Sequence, residues 1–273
     1  MADLRVSLCM LAGIVLISDI ARRTTSKLLG RKTYGTYAVE LISTVQLCAC
    51  THELKLLGEV GRVEQQLALT LTYLISVVHA LTFRGALCNP TSTLEHFCRG
   101  TLTGRCALTK LACQFVAAVV ARSVVHYVWA FGLSDLHLRH KLFGFKCISP
   151  INAPLVKAAA VELACAFAVH TTVHHTHGVE EKYRVHAIAA VITTAVYAGG
   201  STTGAVFNPA LAFSTQFPCS GNTFVEYSFV YWMGPVLGMA CSILLFGKII
   251  PAFSRKSATG KDQYFSDVKK KMN

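Results

Sequence analysis

Two short stretches decide the architecture of this chain: residues 84–91 read RGALCNPT and residues 203–210 read TGAVFNPA. Both contain Gly-Ala, two further residues and then Asn-Pro followed by a small residue, and Asn89 and Asn208 lie 119 positions apart. Asn is a favoured helix N-cap and Pro is favoured at the first helical position, so each box predicts the start of a helix. The repetition predicts a chain built from two equivalent halves.

Two glutamates repeat with the boxes. Glu40 and Glu162 each stand in a Val-Glu-Leu triplet within the first apolar segment of a half, 122 positions apart. Carboxylates inside a membrane are costly and need partners. We interpret both as structural groups that accept hydrogen bonds from the loop before each box, in preference to a proton relay. Three apolar segments in each half then predict an inverted repeat.

The composition is that of a membrane protein. The chain has 273 residues, and only 15% are charged, against about 25% in soluble domains. Its mean hydropathy is +0.47. A bilayer-spanning helix needs about 20 apolar residues, and the chain has seven apolar segments: Leu4–Ala21, Tyr37–Leu57, Leu67–Phe83, Leu111–Phe131, Leu155–Val173, Val185–Gly200 and Phe224–Ile250. The net charge of +12 lies between and after these segments, where it indicates membrane orientation and not nucleic-acid binding.

These segments predict three parts of the chain. Residues 1–36 form an apolar helix and a basic linker, residues 37–250 a channel domain with repeats at 37–131 and 155–250, and residues 251–273 a basic cytosolic tail. The first segment has a weak n-region and no small-residue cleavage site, which argues against a signal peptide. We expect an uncleaved extra helix, and the sequence leaves open whether it spans the membrane or lies at its interface.

The helices that follow the boxes are short. The available lengths, Ser92–Arg99 and Leu211–Phe217, are about eight residues or ~12 Å, half of a hydrocarbon core. Two such half-helices entering from opposite faces would meet at their amino ends, and irregular backbone at that depth lines a watery path or is buried in protein. The positive helix ends disfavour cations, while Asn89 and Asn208 would offer amide donors to a neutral solute.

With two boxes, two glutamates and matched spacing, residues 37–250 resemble the aquaporin (major intrinsic protein) family. Residues 46–54 (QLCACTHEL), the altered box Asn89-Pro90-Thr91, and residues 196–201 (VYAGGS) before Asn208-Pro209-Ala210 resemble its unorthodox superaquaporin branch. The Asn-Pro-Thr box and the apolar N-terminal extension resemble the aquaporin-twelve type. The resemblance implies an all-α transmembrane fold: a right-handed bundle of six spanning helices with two re-entrant half-helices and an extra N-terminal helix. It also implies a homotetramer with a pore in every subunit.

The resemblance also locates a selectivity filter near the outer mouth. Family pores narrow there at four positions that commonly include an aromatic residue, a histidine and an arginine. By ungapped spacing these positions fall on Leu69, Val196, Ala205 and Leu211, with Leu211 where the arginine is expected. All four are apolar, so the constriction lacks a fixed donor and a positive charge. We therefore predict slow water flux and expect glycerol or hydrogen peroxide to permeate at least as well as water. An apolar constriction can also gate the pore by dewetting.

Three functions are consistent with the sequence. We favour a passive channel for small neutral solutes. A non-conducting or structural intracellular membrane protein is the alternative, kept open by Thr91 and Leu211. A coupled secondary transporter is less favoured, because the four filter positions carry no ionisable residue. We find no catalytic set, so we expect no enzyme, no cofactor, no bound metal and no nucleic-acid partner; membrane lipid and small neutral solutes are the expected partners.

Three further signals have ordinary interpretations beside more specific ones. His170, His174 and His177 share a helix face, which suits metal binding or pH sensing, but we favour a polar helix end. The eleven cysteines do not predict a disulfide framework, and Cys219 is expected to be a structural residue at most. Lys270 and Lys271 resemble a dilysine signal for retrieval to the endoplasmic reticulum, while a polybasic tail on anionic lipid is the plainer alternative.

Overall fold

The computed structural model describes residues 2–30, 33–61, 63–217 and 219–251. Within these ranges the regular secondary structure is helical, apart from one isolated β-bridge between Ile148 and Ser220. The helices are α1 (Ala2–Leu29), α2 (Thr33–Glu59), α3 (Gln65–Thr82), α4 (Pro90–Cys98), α5 (Gly104–Trp129), α6 (Asp135–Leu142), α7 (Leu155–His175), α8 (Glu181–Thr203), α9 (Pro209–Thr215), α10 (Phe224–Ser228) and α11 (Gly234–Leu244). The π-helical turn Phe229–Met233 joins α10 to α11, and the π-helical turn Leu245–Ile249 extends α11, so the three parts form one segment.

Seven of these segments form the membrane-spanning set. Five are long and apolar enough to cross a bilayer by themselves: α1, α5, α7, α8 and Phe224–Ile249. The more polar α2 packs along α5, and α3 packs along α8, so both belong to the same bundle. The short helices α4 and α9 lie inside it, against α5. The predicted all-α class, with six core spans, two half-helices and an extra N-terminal helix, is confirmed.

The extra helix α1 runs antiparallel to α2 over nearly its whole length. The Ser7 hydroxyl donates to the Glu53 carboxylate at 2.6 Å near the carboxyl end of α2. At the other end Arg22 Nη1 donates to Ser43 Oγ at 3.5 Å. With 28 residues, α1 is ~42 Å long and exceeds the predicted Leu4–Ala21. It therefore has the length and the placement of a seventh span, the point that the sequence left open.

A buried carboxylate holds this extra helix to the bundle. Glu53 is fully buried and accepts hydrogen bonds from Ser7 of α1, from Trp129 Nε1 of α5 at 2.7 Å and from His137 Nε2 of α6 at 3.2 Å. A buried charge is tolerated only when such partners replace water. One side chain of α2 thus joins four helices at the same end of the bundle.

One pair of cysteines is not free. Cys147 and Cys219 form a disulfide with their Cα atoms 4.6 Å apart, a pairing that the odd number and scattered positions of the cysteines did not predict. The flanking backbone pairs too, since Ser149 N donates to Ser220 O at 2.8 Å and Ser220 N donates to Cys147 O at 3.0 Å. Disulfides persist in oxidising compartments. We call the end of the bundle that carries this bridge the outer face. It therefore borders a lumen or the cell exterior.

The bridge also orients α1. Asp135 N, at the start of α6, donates to Asp3 Oδ1 at 3.0 Å, so the amino end of α1 lies at the outer face. Its carboxyl end carries Arg22, Arg23 and Lys27 and lies at the opposite, inner face. Basic residues concentrate on the cytosolic side of membrane proteins, and the two indications agree.

Helices α7 and α11 approach closely through two glycines. A Cβ atom on Gly234 would lie 2.9 Å from the Ala159 carbonyl oxygen, and one on Gly238 would lie 2.9 Å from Ala166 Cβ. Glycines four residues apart form a flat strip that lets two membrane helices touch at their backbones. This contact holds the second repeat together at the level of Glu162. A Cβ atom on Gly234 would lie 3.1 Å from the Cβ atom of Glu162.

Candidate pore site

Both boxes start helices. The Asn89 side-chain oxygen accepts from Thr91 N at 3.0 Å, and the Asn208 oxygen accepts from Ala210 N at 3.1 Å and Leu211 N at 3.2 Å. Each asparagine has extended backbone with φ −146°. Helices α4 and α9 begin at the prolines, two residues before the predicted starts, and have nine and seven residues, or ~14 and ~10 Å. Both are too short to cross a hydrocarbon core.

The two asparagines meet. Asn89 Nδ2 donates to the Phe207 carbonyl oxygen at 3.3 Å, and Asn208 Nδ2 donates to the Cys88 carbonyl oxygen at 2.9 Å. Each side chain thus reaches the residue that precedes the other asparagine, so the amino ends of α4 and α9 converge. An amide NH₂ group has two hydrogens, and one bond of this kind leaves the second for a solute oxygen.

The loops before the boxes have matching and unusual backbone. Gly85 and Gly204 have φ of 84° and 82°, and Cys88 and Phe207 have φ of 53° and 37°. These pairs keep the 119-residue spacing of the asparagines. Non-glycine residues seldom adopt positive φ, and such strain persists only where the surroundings impose it. Here it turns the carbonyl groups of Cys88 and Phe207 toward the opposite asparagine.

The repeated glutamates hold these loops in place. The Glu40 carboxylate accepts from Leu87 N at 3.1 Å and from Cys88 N at 2.7 Å. The Glu162 carboxylate accepts from Val206 N at 3.0 Å and from Phe207 N. Both glutamates are fully buried, and their backbone partners are equivalent by the same spacing. Each carboxylate replaces the hydrogen bonds that two loop amides would make to water.

The two glutamates differ in their other partners. Glu40 is paired with the Lys110 ammonium and accepts from Gln114 Nε2 at 2.8 Å. Glu162 accepts from the Thr203 hydroxyl at 2.6 Å. Lys110 is 5% exposed, and sequence reasoning missed it. Its signal was available as a basic residue at the edge of an apolar segment, which calls for an ionic partner inside the bundle.

The four predicted filter residues are distributed over three places. Val196 and Ala205 pack in one apolar cluster with Cys165. Leu211 is half-buried and packs against two larger clusters, one around Trp129 and one around Tyr231. Leu69 is half-buried on α3. The structure thus brings Val196 and Ala205 together, with Leu211 three residues beyond Asn208 at the start of α9.

The histidines of α7 do not act as one group. His170 is 3% exposed and its Nδ1 faces the Glu95 carboxylate of α4. His174 and His175 are exposed, and His177 lies beyond the end of α7 and is exposed too. The sequence interpretation of a polar helix end therefore fails for His170. Its carboxylate partner comes from the other repeat, where spacing along α7 offers no signal.

A small pocket, partly open to solvent, lies at the outer end of the bundle between α2, α5 and α9. Its lining includes Lys55, Arg122 and His140. Lys55 Nζ donates to Thr215 O at 3.2 Å and to Gln216 Oε1 at 2.8 Å, and so satisfies the carboxyl end of α9. Burial lowers the pKa of the His140 imidazole, and the nearby Lys55 charge lowers it further.

Two opposed half-helices, capped by Asn-Pro boxes and enclosed by spanning helices, define a membrane channel protein. Residues 39–246 match the family model described as "Major intrinsic protein". The chain therefore belongs to the major intrinsic protein, or aquaporin, family, as its sequence predicted. Members of this family are channels, which confirms that the chain is not an enzyme.

Individual relatives narrow the branch. The chain is 38% identical to Aquaporin-11 of Homo sapiens over 249 residues, 91% of each chain. It is 37% identical to Aquaporin-12 of Mus musculus over 261 residues, 94% of this chain and 90% of the relative. The predicted resemblance to the superaquaporin branch is confirmed, with nearly equal likeness to these two relatives.

A solved structure supports the fold alone. The aquaglyceroporin from Plasmodium falciparum superposes with a TM-score of 0.62, covering 80% of this chain and 97% of that one, at 14% sequence identity.

Proposed function

We propose that the chain is a passive channel for water and small neutral solutes that pass between Asn89 and Asn208. The observation that carries the proposal is the reciprocal pair of bonds from Asn89 Nδ2 to Phe207 O and from Asn208 Nδ2 to Cys88 O. It holds two amide donors where the positive ends of α4 and α9 converge, an arrangement that disfavours cations and binds neutral oxygen. A homotetramer surrounded by lipid, with one pore in each subunit, is part of the proposal.

The solute range follows from the apolar filter. Leu69, Val196, Ala205 and Leu211 offer no side-chain hydrogen bond and no charge. Water loses hydrogen bonds at such a constriction, while a larger or less polar molecule is penalised less. We therefore propose slow water flux with glycerol or hydrogen peroxide among the permeant solutes.

Purified protein in proteoliposomes tests this proposal. Stopped-flow light scattering gives water and glycerol permeability, and an entrapped peroxide-sensitive dye gives peroxide entry. We expect glycerol or peroxide flux above that of empty liposomes, and its loss in Val196→Trp, which would plug the filter. High water permeability with glycerol and peroxide excluded would contradict the apolar filter.

The same preparation separates the two other functions. The altered box residue Thr91 and the apolar Leu211 keep open a non-conducting structural protein, for which wild type and Val196→Trp would both match empty liposomes. A coupled transporter would move solute faster when a proton or sodium gradient is imposed. We expect fluxes that follow the solute gradient alone.

We propose that the protein resides in the endoplasmic reticulum or another internal membrane. Lys270 and Lys271 resemble a dilysine retrieval signal and lie outside the described residues. The Phe224–Ile249 segment starts near the outer-face disulfide and is long enough to cross the bilayer, so its carboxyl end lies at the cytosolic face. We expect Lys270→Ser with Lys271→Ser to move the protein to the cell surface, as surface biotinylation would measure. Unchanged intracellular retention would contradict the signal.

A further inference from the structure

We infer that Thr91, His170 and Glu95 form a positioning relay that fixes the Asn89 side chain and thereby contributes to solute discrimination. The contribution to solute discrimination rests on the proposed function, because a protein discriminates between solutes only if it conducts them. The fixing of the Asn89 side chain is a property of the folded protein, and it can be measured whether or not the protein conducts solute.

The two pore asparagines are held differently. Asn208 Oδ1 accepts from two backbone N–H groups, those of Ala210 and Leu211. Asn89 Oδ1 accepts from Thr91 N at 3.0 Å and from the Thr91 hydroxyl at 2.8 Å. The threonine that distinguishes the first box from the second thus supplies a side-chain donor to the pore asparagine.

Counting protons shows how Thr91 is itself held. An amide oxygen only accepts, so the single hydroxyl hydrogen of Thr91 points at Asn89. The Thr91 oxygen can then only accept from His170 Nε2, which lies 3.0 Å away. His170 Nε2 therefore carries a proton, and the imidazole locks the hydroxyl in the rotamer that reaches Asn89.

Glu95 in turn holds the His170 imidazole in its orientation. Its Oε2 atom contacts His170 Nδ1, and its Oε1 atom accepts from Arg99 Nε at 2.9 Å. Thr91, Glu95 and His170 are at most 8% exposed, so water does not compete for these bonds. Low local dielectric strengthens such chains of hydrogen bonds.

The relay connects the repeats. Thr91 and Glu95 lie on α4 of the first repeat, four residues apart, whereas His170 lies on α7 of the second. With its oxygen held by two donors, the Asn89 amide keeps Nδ2 on the Phe207 carbonyl and its second hydrogen in a constant direction. A helix of the second repeat thereby positions the pore asparagine of the first.

The flux test compares two replacements of Thr91, one that removes its hydroxyl and one that keeps it. Thr91→Val keeps the shape and removes the hydroxyl, whereas Thr91→Ser keeps the hydroxyl. We expect Thr91→Val to lower the water-to-glycerol permeability ratio about two- to tenfold, the effect of one net hydrogen bond, and Thr91→Ser to retain the wild-type ratio. Thr172→Val is the matched control, because the Thr172 hydroxyl bonds only to Ala168 O of its own helix.

A spectroscopic test does not depend on conduction. The chain has five asparagines, so protein labelled with ¹⁵N-asparagine gives five side-chain amide signals in bilayer NMR. The Asn89 signal is identified by its loss in Asn89→Ser. We expect that signal to move in Thr91→Val and in His170→Leu, and to stay in Thr172→Val and in His174→Leu, whose histidine is exposed.

Each outcome then has one meaning. An Asn89 amide signal that stays in place in Thr91→Val overturns the relay, whatever the flux. A signal that moves while the permeability ratio stays constant overturns the contribution to discrimination. Absence of all flux in wild type, with the signal moving as expected, contradicts the proposed channel function and leaves the relay supported.

Discussion

Glu40→Gln is expected to destabilise the protein more than Glu162→Gln, although the two glutamates are related by the repeat. Glu40 is paired with the buried Lys110 ammonium. Removing one partner of a buried ion pair leaves an uncompensated charge and costs about 3–5 kcal/mol. Glu162 instead accepts hydrogen bonds from the Thr203 hydroxyl and from two backbone N–H groups. A glutamine there keeps one acceptor oxygen, and we expect a loss of about 1–3 kcal/mol.

Thermal unfolding monitored with a thiol-reactive fluorophore measures this difference, since the buried thiols of Cys48, Cys50 and Cys88 react only on unfolding. The matched control is Glu40→Gln with Lys110→Met, which removes both charges and keeps the side-chain length. We expect this double variant to be more stable than Glu40→Gln alone. Equal losses for the two single variants, or no recovery in the double variant, would show that Lys110 is not held by Glu40.

The central part of the site was predictable because it depends on local chemistry. An Asn-Pro box specifies a helix start by itself, and two boxes with two glutamates at matching spacing specify the repeat. The short lengths available after Asn89 and Asn208 then predict half-helices, and the structure has them. The four filter positions remain predictions, because they rest on spacing within the family and not on a local signal.

The remaining features depend on contacts between distant segments. Cys147 and Cys219 are 72 residues apart, and their pairing follows from how the loop after α6 meets the end of α9. His170 finds Glu95 across 75 residues, in the other repeat. The orientation of α1 depends on Ser7 and Asp3, whose partners lie on α2 and α6. Helical periodicity contains no signal for any of these pairs.

Leu211→Arg is expected to lower glycerol permeability at least about tenfold while leaving water permeability equal or higher. Leu211 stands three residues after Asn208, where the family resemblance implies an arginine, and it is half-buried at the start of α9. A guanidinium adds five N–H donors and a fixed charge, and hydrogen bonds to charged groups contribute about 1.5–3 kcal/mol. Water gains these bonds at the constriction, while the bulkier glycerol meets a narrower opening.

Two companion variants separate the causes of that change. Leu211→Met keeps volume and apolar character, so we expect wild-type permeability to both solutes. Leu211→Gln adds donors without charge, and we expect an intermediate water-to-glycerol ratio. Thermal unfolding of each variant establishes that it is folded before its flux is compared. A folded Leu211→Arg protein with an unchanged ratio would show that Leu211 lies away from the narrowest point, and the solute range proposed from the apolar filter would then need another constriction.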